Sequence, residues 1–584
     1  MTQNNTQLDN LRHSCAHLMA AAVKAIDRFS EVKLTLGPPI ENGFYYDIDF
    51  GGAKISDDDL KEIEKKMQSL LPSWKEFTGR KVTAAEAREF FAGNEYKQEL
   101  IGEIESRGED ITLYSCGEFT DLCRGGHSEC PAKDARNFKL LSVAGAYWRG
   151  DEKNPMLTRI YGTCFPTKEE LKNYLTMLEE AKKRDHRKLG KELDLFTFSE
   201  LVGPGLPLWT PKGTLLRNVL DNYVWELRQA RGYERVEIPH ITKKDLYEVS
   251  GHWQKFSDEL FKITTREGHE FAMKPMNCPH HTQIYKRQQW SYRELPQRYA
   301  NTTTCYRDEQ TGELHGLSRV RAFSQDDAHV FCRQSQVKEE FLKIWDIIDT
   351  FYKAVGFNEL SVRLSLHDPE NFDAYLGTPE QWQGAENQIR ELAKERGVAF
   401  VEELGEAAFY GPKVDFITKD SIGREWQVAT IQLDINLPER FDLTCKDESG
   451  DDERIVMIHA AIMGSIERFF SILLEHHAGN FPVWLSPVQV HIIPVSEKHV
   501  DGALAFANQL NLANIRTSID AADETVGKKI RKSVKTKAPY VLVIGDKELE
   551  GSELTVRIRG KEQQEEMTKD MFVLELTNAT KERR

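Results

Sequence analysis

The stretch YRDEQTGELHGLSRVRAFSQDDAHVFC, residues 306–332, decides the fold. Arg307 and Glu309 fall on one candidate strand, a turn-rich loop follows, and Arg319, Arg321 and Phe323 fall on the strand that returns. A planar guanidinium binds an oxyanion through two parallel hydrogen bonds, so such a hairpin suits phosphate or carboxylate. Three stretches accompany it. GTLLRNVLDNYVWELRQARGYERVEIPHI (213–241) reads as a long amphipathic helix and a strand ending in proline; MKPMNCPHH spans 273–281; HAAIMGSIERFFSILLEHH (459–477) enters a helix through Gly-Ser and carries Arg468. Singly, each has an ordinary structural reading: a surface Arg–Glu ladder, or a core phenylalanine at 323. Their combination is far more specific.

A chain of 584 residues exceeds one core and implies three or four domains. Its apolar runs, such as FFSILL, fall far short of the roughly 20 residues that span a bilayer, so a soluble chain without a membrane partner is expected. The polar start MTQNNTQLDN carries no export signal, and nine scattered cysteines point to free thiols or metal ligands; the cytoplasm is the expected compartment. A net charge of -15 argues against a general polyanion or DNA binder. From Ser486 onward, however, 16 Lys and Arg stand against 15 Asp and Glu, which makes the tail the nucleic-acid candidate. Its cluster KKIRKSVKTK (528–537) reads equally as a phosphate contact or a solvated helix face.

The expected fold class is multi-domain α+β. Residues 1–165 mix helices with strands such as GFYYDIDF and LTRIYGTCF. Residues 166–190 read as a connecting helix opened by a Thr167–Glu170 capping box. Residues 191–485 form the strand-rich middle, and 486–584 a small α/β domain opened by the alternating FPVWLSPVQVHIIPV.

The four stretches resemble the signature motifs of class II aminoacyl-tRNA synthetases, and MKPMNCP with AFSQDDAH is similar in detail to their threonyl-specific branch. The resemblance covers nearly the whole chain. It implies an antiparallel-sheet catalytic core, an N-terminal α+β editing domain and a C-terminal α/β anticodon-binding domain. It implies ATP with Mg²⁺, L-threonine and tRNA(Thr) as reactants, and a homodimer built through the first motif. Arg307 would meet the α-phosphate and the amino-acid carboxylate, Glu309 the adenine side, and Phe323 the adenine face. Arg319 and Arg468 would hold the γ-phosphate end. Gln325, Asp327 and Tyr410 would take threonine, Lys413 and Gln427 would complete the pocket, and His252 would assist the transfer step.

Cys278, His329 and His459 match the family's zinc ligands, one ion per chain with a position left open. The residues by themselves leave other readings, including a His329–Cys332 pair at i, i+3 and a packed His329. Zinc meets a selectivity problem: threonine and valine are nearly isosteric, and an apolar pocket separates hydroxyl from methyl by only about 10². Serine keeps both amine and hydroxyl and lacks only a methyl, worth roughly 10- to 200-fold, so a second site must remove it.

The N-terminal RHSCAHLM (12–19) and CRGGH (123–127) supply that second site by resemblance, with His13, His17, Cys123, His127 and Asp121 as the editing set. At 100° per residue, Leu11, Cys15, Leu18 and Ala22 share one helix face, and the two histidines point elsewhere. Three readings stay open here: hydrolysis without metal, a four-ligand zinc site as in related alanyl-type domains, and a degenerate pocket.

Three departures from the pattern stand out. The usual CRGPH is CRGGH, so Gly126 replaces a rigid proline and puts editing efficiency in doubt. The usual MNCPGH is MNCPHH, which makes His280 a spare ligand or a surface side chain. Only 12 residues precede His13, where relatives carry a small ubiquitin-like domain, so the chain is expected to lack it. In the tail, Lys529, Arg531 and Arg557 are the expected anticodon-side contacts. Two competing classes remain, a sister synthetase such as the prolyl enzyme and an RNA-binding regulator on the same scaffold. The regulator should have lost Arg307 or Arg468, and both are present.

Overall fold

The computed structural model describes residues 3–584 as two compact units that divide between Glu179 and Glu180. The division falls inside a helix, Lys168–Arg184, at whose start Thr167 and Glu170 exchange the expected hydrogen bonds. The connector is two helices rather than one. It breaks at Asp185, whose carboxylate accepts from the Arg187 amide at 2.8 Å and caps His186–Glu192.

In the first unit, helix Gln3–Lys24 lies against helix Leu60–Leu70 and strand Gly43–Asp49. The stripe Leu11, Cys15, Leu18, Ala22 is buried as its spacing dictates, but so are Ala16, His17, Met19 and Ala20, because neighbours cover several faces. The main sheet runs Lys33–Leu34, Gly43–Asp49, Met156–Cys164, Phe138–Tyr147, antiparallel throughout. A second sheet, Thr78–Val82, Ile111–Cys116 and Phe119–Leu122, delivers the chain to the CRGGH loop.

The second unit is built on eight strands in the order Glu234–Arg235, Gln297–Tyr306, Ala322–Cys332, Val456–Ser465, Glu425–Asp434, Lys413–Lys419, Leu360–Leu366 and Phe400–Leu404. Pairing is antiparallel except at the two edges. Strand alternation sorts the side chains. Ala328, Val330 and Cys332, with Ile458, Ala460, Ala429 and Ile431, join the core that also holds Phe341, Ile344 and Trp345 of helix Val337–Ala354 and Phe469, Phe470 and Leu473 of helix Ile466–His476. Residues in the other phase, among them Asp327, His329, Gln432, Asp434 and His459, are left for the opposite face. His329 and Cys332 therefore point to opposite faces, which ends their reading as a ligand pair.

Arg307, Glu309, Arg319 and Arg321 lie in the loop between strands ending at Tyr306 and starting at Ala322, not on the strands as expected. The Arg307 amide still donates to the Arg321 carbonyl at 2.9 Å, which continues the ladder one step. The tail is a five-stranded mixed sheet, and Val490–Pro494, an interior strand of it, is buried at every position. The alternation expected for that strand is absent because both of its faces are covered.

Candidate functional site

A cavity of about 500 Å³ opens on the free face of the eight-stranded sheet. Arg307, Phe323, Gln325, Asp327, Tyr410, Lys413, Gln427, His459 and Arg468 all line it, although the sequence scatters them over 162 positions. Gly464 and Ser465 form its edge, where Ser465 Oγ accepts from the Arg468 amide at 3.2 Å and caps the 11-residue helix Ile466–His476. An N-terminus of that kind favours anions. Arg307 sits over the ring of Phe323, 5.2 Å from its centroid, so one cation and one aromatic face are presented together.

Much of the support was not legible in sequence. Asp415 is buried and binds three wall elements: Lys413 Nζ at 2.9 Å, Gln427 Nε2 at 2.7 Å and Thr430 Oγ1 at 2.6 Å. Asp326, in the register shift between Gln325 and Asp327, turns away from the cavity and accepts from the amides of Ile462 and Met463, both at 2.9 Å. Asn277 donates to Asp327 at 3.1 Å, and burial raises the Asp327 carboxyl above its ordinary range.

The buried ligating atoms of Cys278, His329 and His459 lie within 4.8 Å of one another. His329 Nε2 and His459 Nδ1 are 3.1 Å apart, against about 3.3 Å for two nitrogens on one tetrahedral zinc. Their other nitrogens are held from outside. His459 Nε2 is 2.8 Å from Asp434, and His329 Nδ1 is 2.7 Å from His281 Nδ1. Outer partners of this kind fix the ring orientation of metal-binding histidines, so the donor set fits zinc. Asp434, on the strand paired with that of His459, and His281, three residues after Cys278 on helix Cys278–Tyr285, belong to the centre. A third cluster among the described residues, Asp185, His186 and Glu475, is structural. Both His186 ring nitrogens are engaged, by Glu475 at 2.7 Å and by the Leu317 amide at 3.0 Å.

Several expected residues lie elsewhere. His252 is fully buried, with Nδ1 2.9 Å from Ser250 Oγ and Nε2 3.8 Å from Cys278 Sγ, and burial lowers it to about 3. It stands behind the ligand Cys278 and not on the cavity wall, so a direct role in transfer is not supported by its position. Glu309 and Arg319 pair with each other at 2.7 Å beyond the wall. Lys529 is buried and donates to the Pro494 carbonyl at 3.2 Å, which removes it as an RNA contact; Arg531 is exposed and Arg557 half-buried. His280 is neither a surface side chain nor a ligand in the cluster. It is buried with both ring nitrogens unpartnered, and burial lowers it to about 4.

In the first unit a cavity of about 350 Å³ is walled by Thr35–Pro39, His13, His17, Asp121 and Cys123. Cys123 Sγ lies 3.5 Å from His13 Nε2 and 3.3 Å from His127 Nε2. Burial opposes the thiolate, but the hydrogen bonds with His127 and His13 and the neighbouring His17 bring Cys123 down to about 3. Burial likewise opposes a charged His17, and the Asp121 carboxylate 3.4 Å away still raises it to about 9. Asp121 is buried against Lys97 Nζ at 2.5 Å and accepts from the Tyr46 hydroxyl at 2.5 Å. Lys97 and Tyr46, 24 and 75 positions from Asp121, carry no motif and were missed. Gly126 has φ +81°, a left-handed conformation closed to proline, and its carbonyl meets His13 Nδ1 at 3.0 Å. The glycine is therefore a different loop geometry, one that holds His13 rather than loosening the motif.

Comparisons agree with this layout. Residues 261–477 match the tRNA synthetase class II core domain (G, H, P, S and T), residues 489–578 an anticodon binding domain, and residues 111–161 the threonyl and alanyl tRNA synthetase second additional domain. The chain is 50% identical over 578 residues to the threonine–tRNA ligase of Cytophaga hutchinsonii, covering 98% of this chain and 89% of that one. It is also 50% identical to that of Porphyromonas gingivalis, over 94% of this chain and 84% of the other. Among solved structures, the RNA binding domain of threonyl-tRNA synthetase from Cryptosporidium parvum aligns with a TM-score of 0.65 at 38% identity, covering 68% of this chain and 98% of that one. A prolyl-tRNA synthetase from Giardia lamblia, at 16% identity and TM-score 0.55 over 70% of this chain and 80% of that one, shares the fold.

Proposed function

The chain belongs to the threonine–tRNA ligases, and from that membership we propose how its residues divide two reactions. In the first, a threonine carboxylate oxygen bonds to the α-phosphorus of ATP and pyrophosphate leaves; the tRNA 3′ ribose oxygen then takes the threonyl group and AMP leaves. Arg307 holds the carboxylate and α-phosphate, Phe323 stacks on adenine, and Arg468 takes the far phosphates with Mg²⁺ that accompanies ATP. Glu309 and Arg319 reach the nucleotide by exchanging their mutual ion pair for ATP contacts. Gln325, Asp327 and Tyr410 orient threonine, and Lys413 and Gln427, held by Asp415, complete the wall. Cys278, His329 and His459 would hold one zinc ion. When bound, that ion supplies a Lewis-acidic anchor for an amine and a hydroxyl together, which valine cannot use.

In the second reaction, hydrolysis of seryl-tRNA(Thr), a water oxygen bonds to the seryl carbonyl carbon. The ester C–O bond breaks, and the water's proton ends on the ribose oxygen. His13, His127 and Cys123 move that proton, while Asp121 with Lys97 and Tyr46 fixes His17. Arg531 and Arg557 contact the anticodon side. We retain 1–165, 166–190, 191–485 and 486–584 as domain limits and place the chain in the cytoplasm. A homodimer is supported by Leu201, Val202 and Leu208, exposed large apolar residues just before helix Pro211–Gln229.

The observation that carries the reading is the meeting of Arg307, Phe323 and Arg468 with Asp327, Tyr410 and His459 in one cavity. Amino-acid-dependent ATP–pyrophosphate exchange with threonine, serine and valine tests it, alongside metal content in wild type and Cys278→Ser. We expect one zinc per chain, exchange with threonine, less with serine, none with valine, and loss of metal and exchange in the variant. Arg307→Ala should lower exchange by roughly 10²- to 10³-fold. Exchange with none of the three amino acids would overturn the assignment.

A further inference from the structure

The N-terminal cluster is organised like a ligand set, in a way that proton transfer by itself does not require. Two nitrogens and one sulfur on a tetrahedral zinc ion span S–N edges of about 3.6 Å. Cys123 Sγ stands 3.5 Å from His13 Nε2 and 3.3 Å from His127 Nε2, and the donor atoms of all four residues lie within 4.8 Å of one another.

The outer contacts point the same way. His13 Nδ1 is fixed by the Gly126 carbonyl at 3.0 Å, which makes it the protonated nitrogen and leaves the Nε2 lone pair facing Cys123. His17 Nδ1 faces Asp121 at 3.4 Å, and Asp121 is in turn locked by Lys97 and Tyr46. His17 is 4% exposed, and neither of its ring nitrogens has a hydrogen-bond partner. The His127 ring is clamped flat on Phe77, with centroids 3.8 Å apart and planes at 10°. Three rings are thus oriented by groups outside the cluster, and the fourth donor is the Cys123 sulfur.

We propose that His13, His17, Cys123 and His127 also form an inhibitory site for a soft divalent cation of the Zn²⁺ class, whose binding shuts off the hydrolytic pocket. Hydrolysis needs ring nitrogens free to exchange a proton with water, and a four-coordinate ion occupies those lone pairs. Burial separates this site from the central one. All three central ligands are buried, whereas here only His17 is, so an ion can enter and leave from solvent. The metal site itself stands on geometry; its inhibitory consequence rests on the editing reading of the same pocket.

The test uses the full chain with zinc ions as the only probe, and follows alkylation of individual cysteines by iodoacetamide with peptide mass spectrometry. Micromolar zinc should slow labelling of Cys123 at least tenfold, leave half-buried Cys130 unchanged, and have no counterpart with magnesium. Seryl-tRNA hydrolysis should fall over the same zinc range. Asp121→Asn should shift that range upward by about 10- to 100-fold, the usual effect of losing an outer partner. Equal labelling of Cys123 with and without zinc overturns the proposal, as does inhibition by zinc that leaves Cys123 unprotected. If metal-free protein fails to hydrolyse seryl-tRNA while zinc protects Cys123, the editing reading and the inhibition fall and the metal site stands.

Discussion

Two centres in this molecule are built from histidines and one cysteine, and they differ in what surrounds them. Cys278, His329 and His459 are wholly buried, two of them on adjacent strands of one sheet, with Asp434 and His281 behind them. His13, His17, Cys123 and His127 come from a helix and a loop, and the first three line a cavity. Ligand type is nearly the same in both. Rigidity and solvent access are what separate them, and they are the basis on which we assign a resident ion to the first and water chemistry with an exchangeable ion to the second.

The same contrast appears in two buried lysines. Lys97 faces the Asp121 carboxylate at 2.5 Å, whereas Lys274 has only neutral partners, Asn277 Oδ1 at 3.1 Å and Thr303 Oγ1 at 2.8 Å. Removing one partner of a buried ion pair leaves an uncompensated charge and typically costs about 3–5 kcal/mol. Lys97→Met should therefore lower hydrogen-exchange protection of helix Glu95–Ser106 by that amount, the largest effect expected here. A loss under about 1 kcal/mol would show that Asp121 does not depend on Lys97 and would weaken the contrast.

Lys274 provides the next effect, with a definite sign. Burial lowers it to about 8, against about 10.4 for a free lysine. Below pH 8 both folded and unfolded states carry the proton and the burial penalty is fully present. Between about 8 and 10.4 the folded state has released a proton that the unfolded state keeps, so stability rises with pH, by an amount on the order of 3 kcal/mol. Exchange protection of strand Gln297–Tyr306 should rise between pH 8 and 10 relative to Lys274→Met. Parallel curves for the two proteins would show that Lys274 titrates normally.

The smallest effect concerns the loop that holds His13. At φ +81°, Gly126→Ala places a Cβ 3.3 Å from Asn10 Oδ1 in a conformation that costs an L-residue about 1–2 kcal/mol. Seryl-tRNA hydrolysis should drop by several-fold while the fold persists, and Gly126→Pro, whose ring cannot reach that φ, should drop further. Equal activity of glycine and proline variants would mean that the carbonyl does not position His13.

The N-terminal cluster is legible in two compact motifs, HxxxH and CRGGH, whereas Cys278, His329 and His459 stand in three separate stretches that only the fold brings together. Sequence reading errs where local pattern is outvoted by packing. The connector reads as unbroken because nothing in its charge pattern marks Asp185 as a cap, and Val490–Pro494 reads as part of an alternating run although both of its faces are covered. Lys529 belongs to a basic run, yet its position on helix Val526–Thr536 turns it inward to Pro494.

What the sequence determined by itself is the chemistry on offer: the family, the arginines, the ligand types and the glycine at 126. What only the tertiary structure decided is which groups stand behind them, Asp415 under Lys413 and Gln427, Asp434 and His281 behind His459 and His329, Lys97 and Tyr46 on Asp121. The reason is physical. A reacting group must present a defined atom and so leaves a local motif, whereas its support need only fill a hydrogen bond at one point in space, which strands and helices distant in sequence reach once sheet register is fixed.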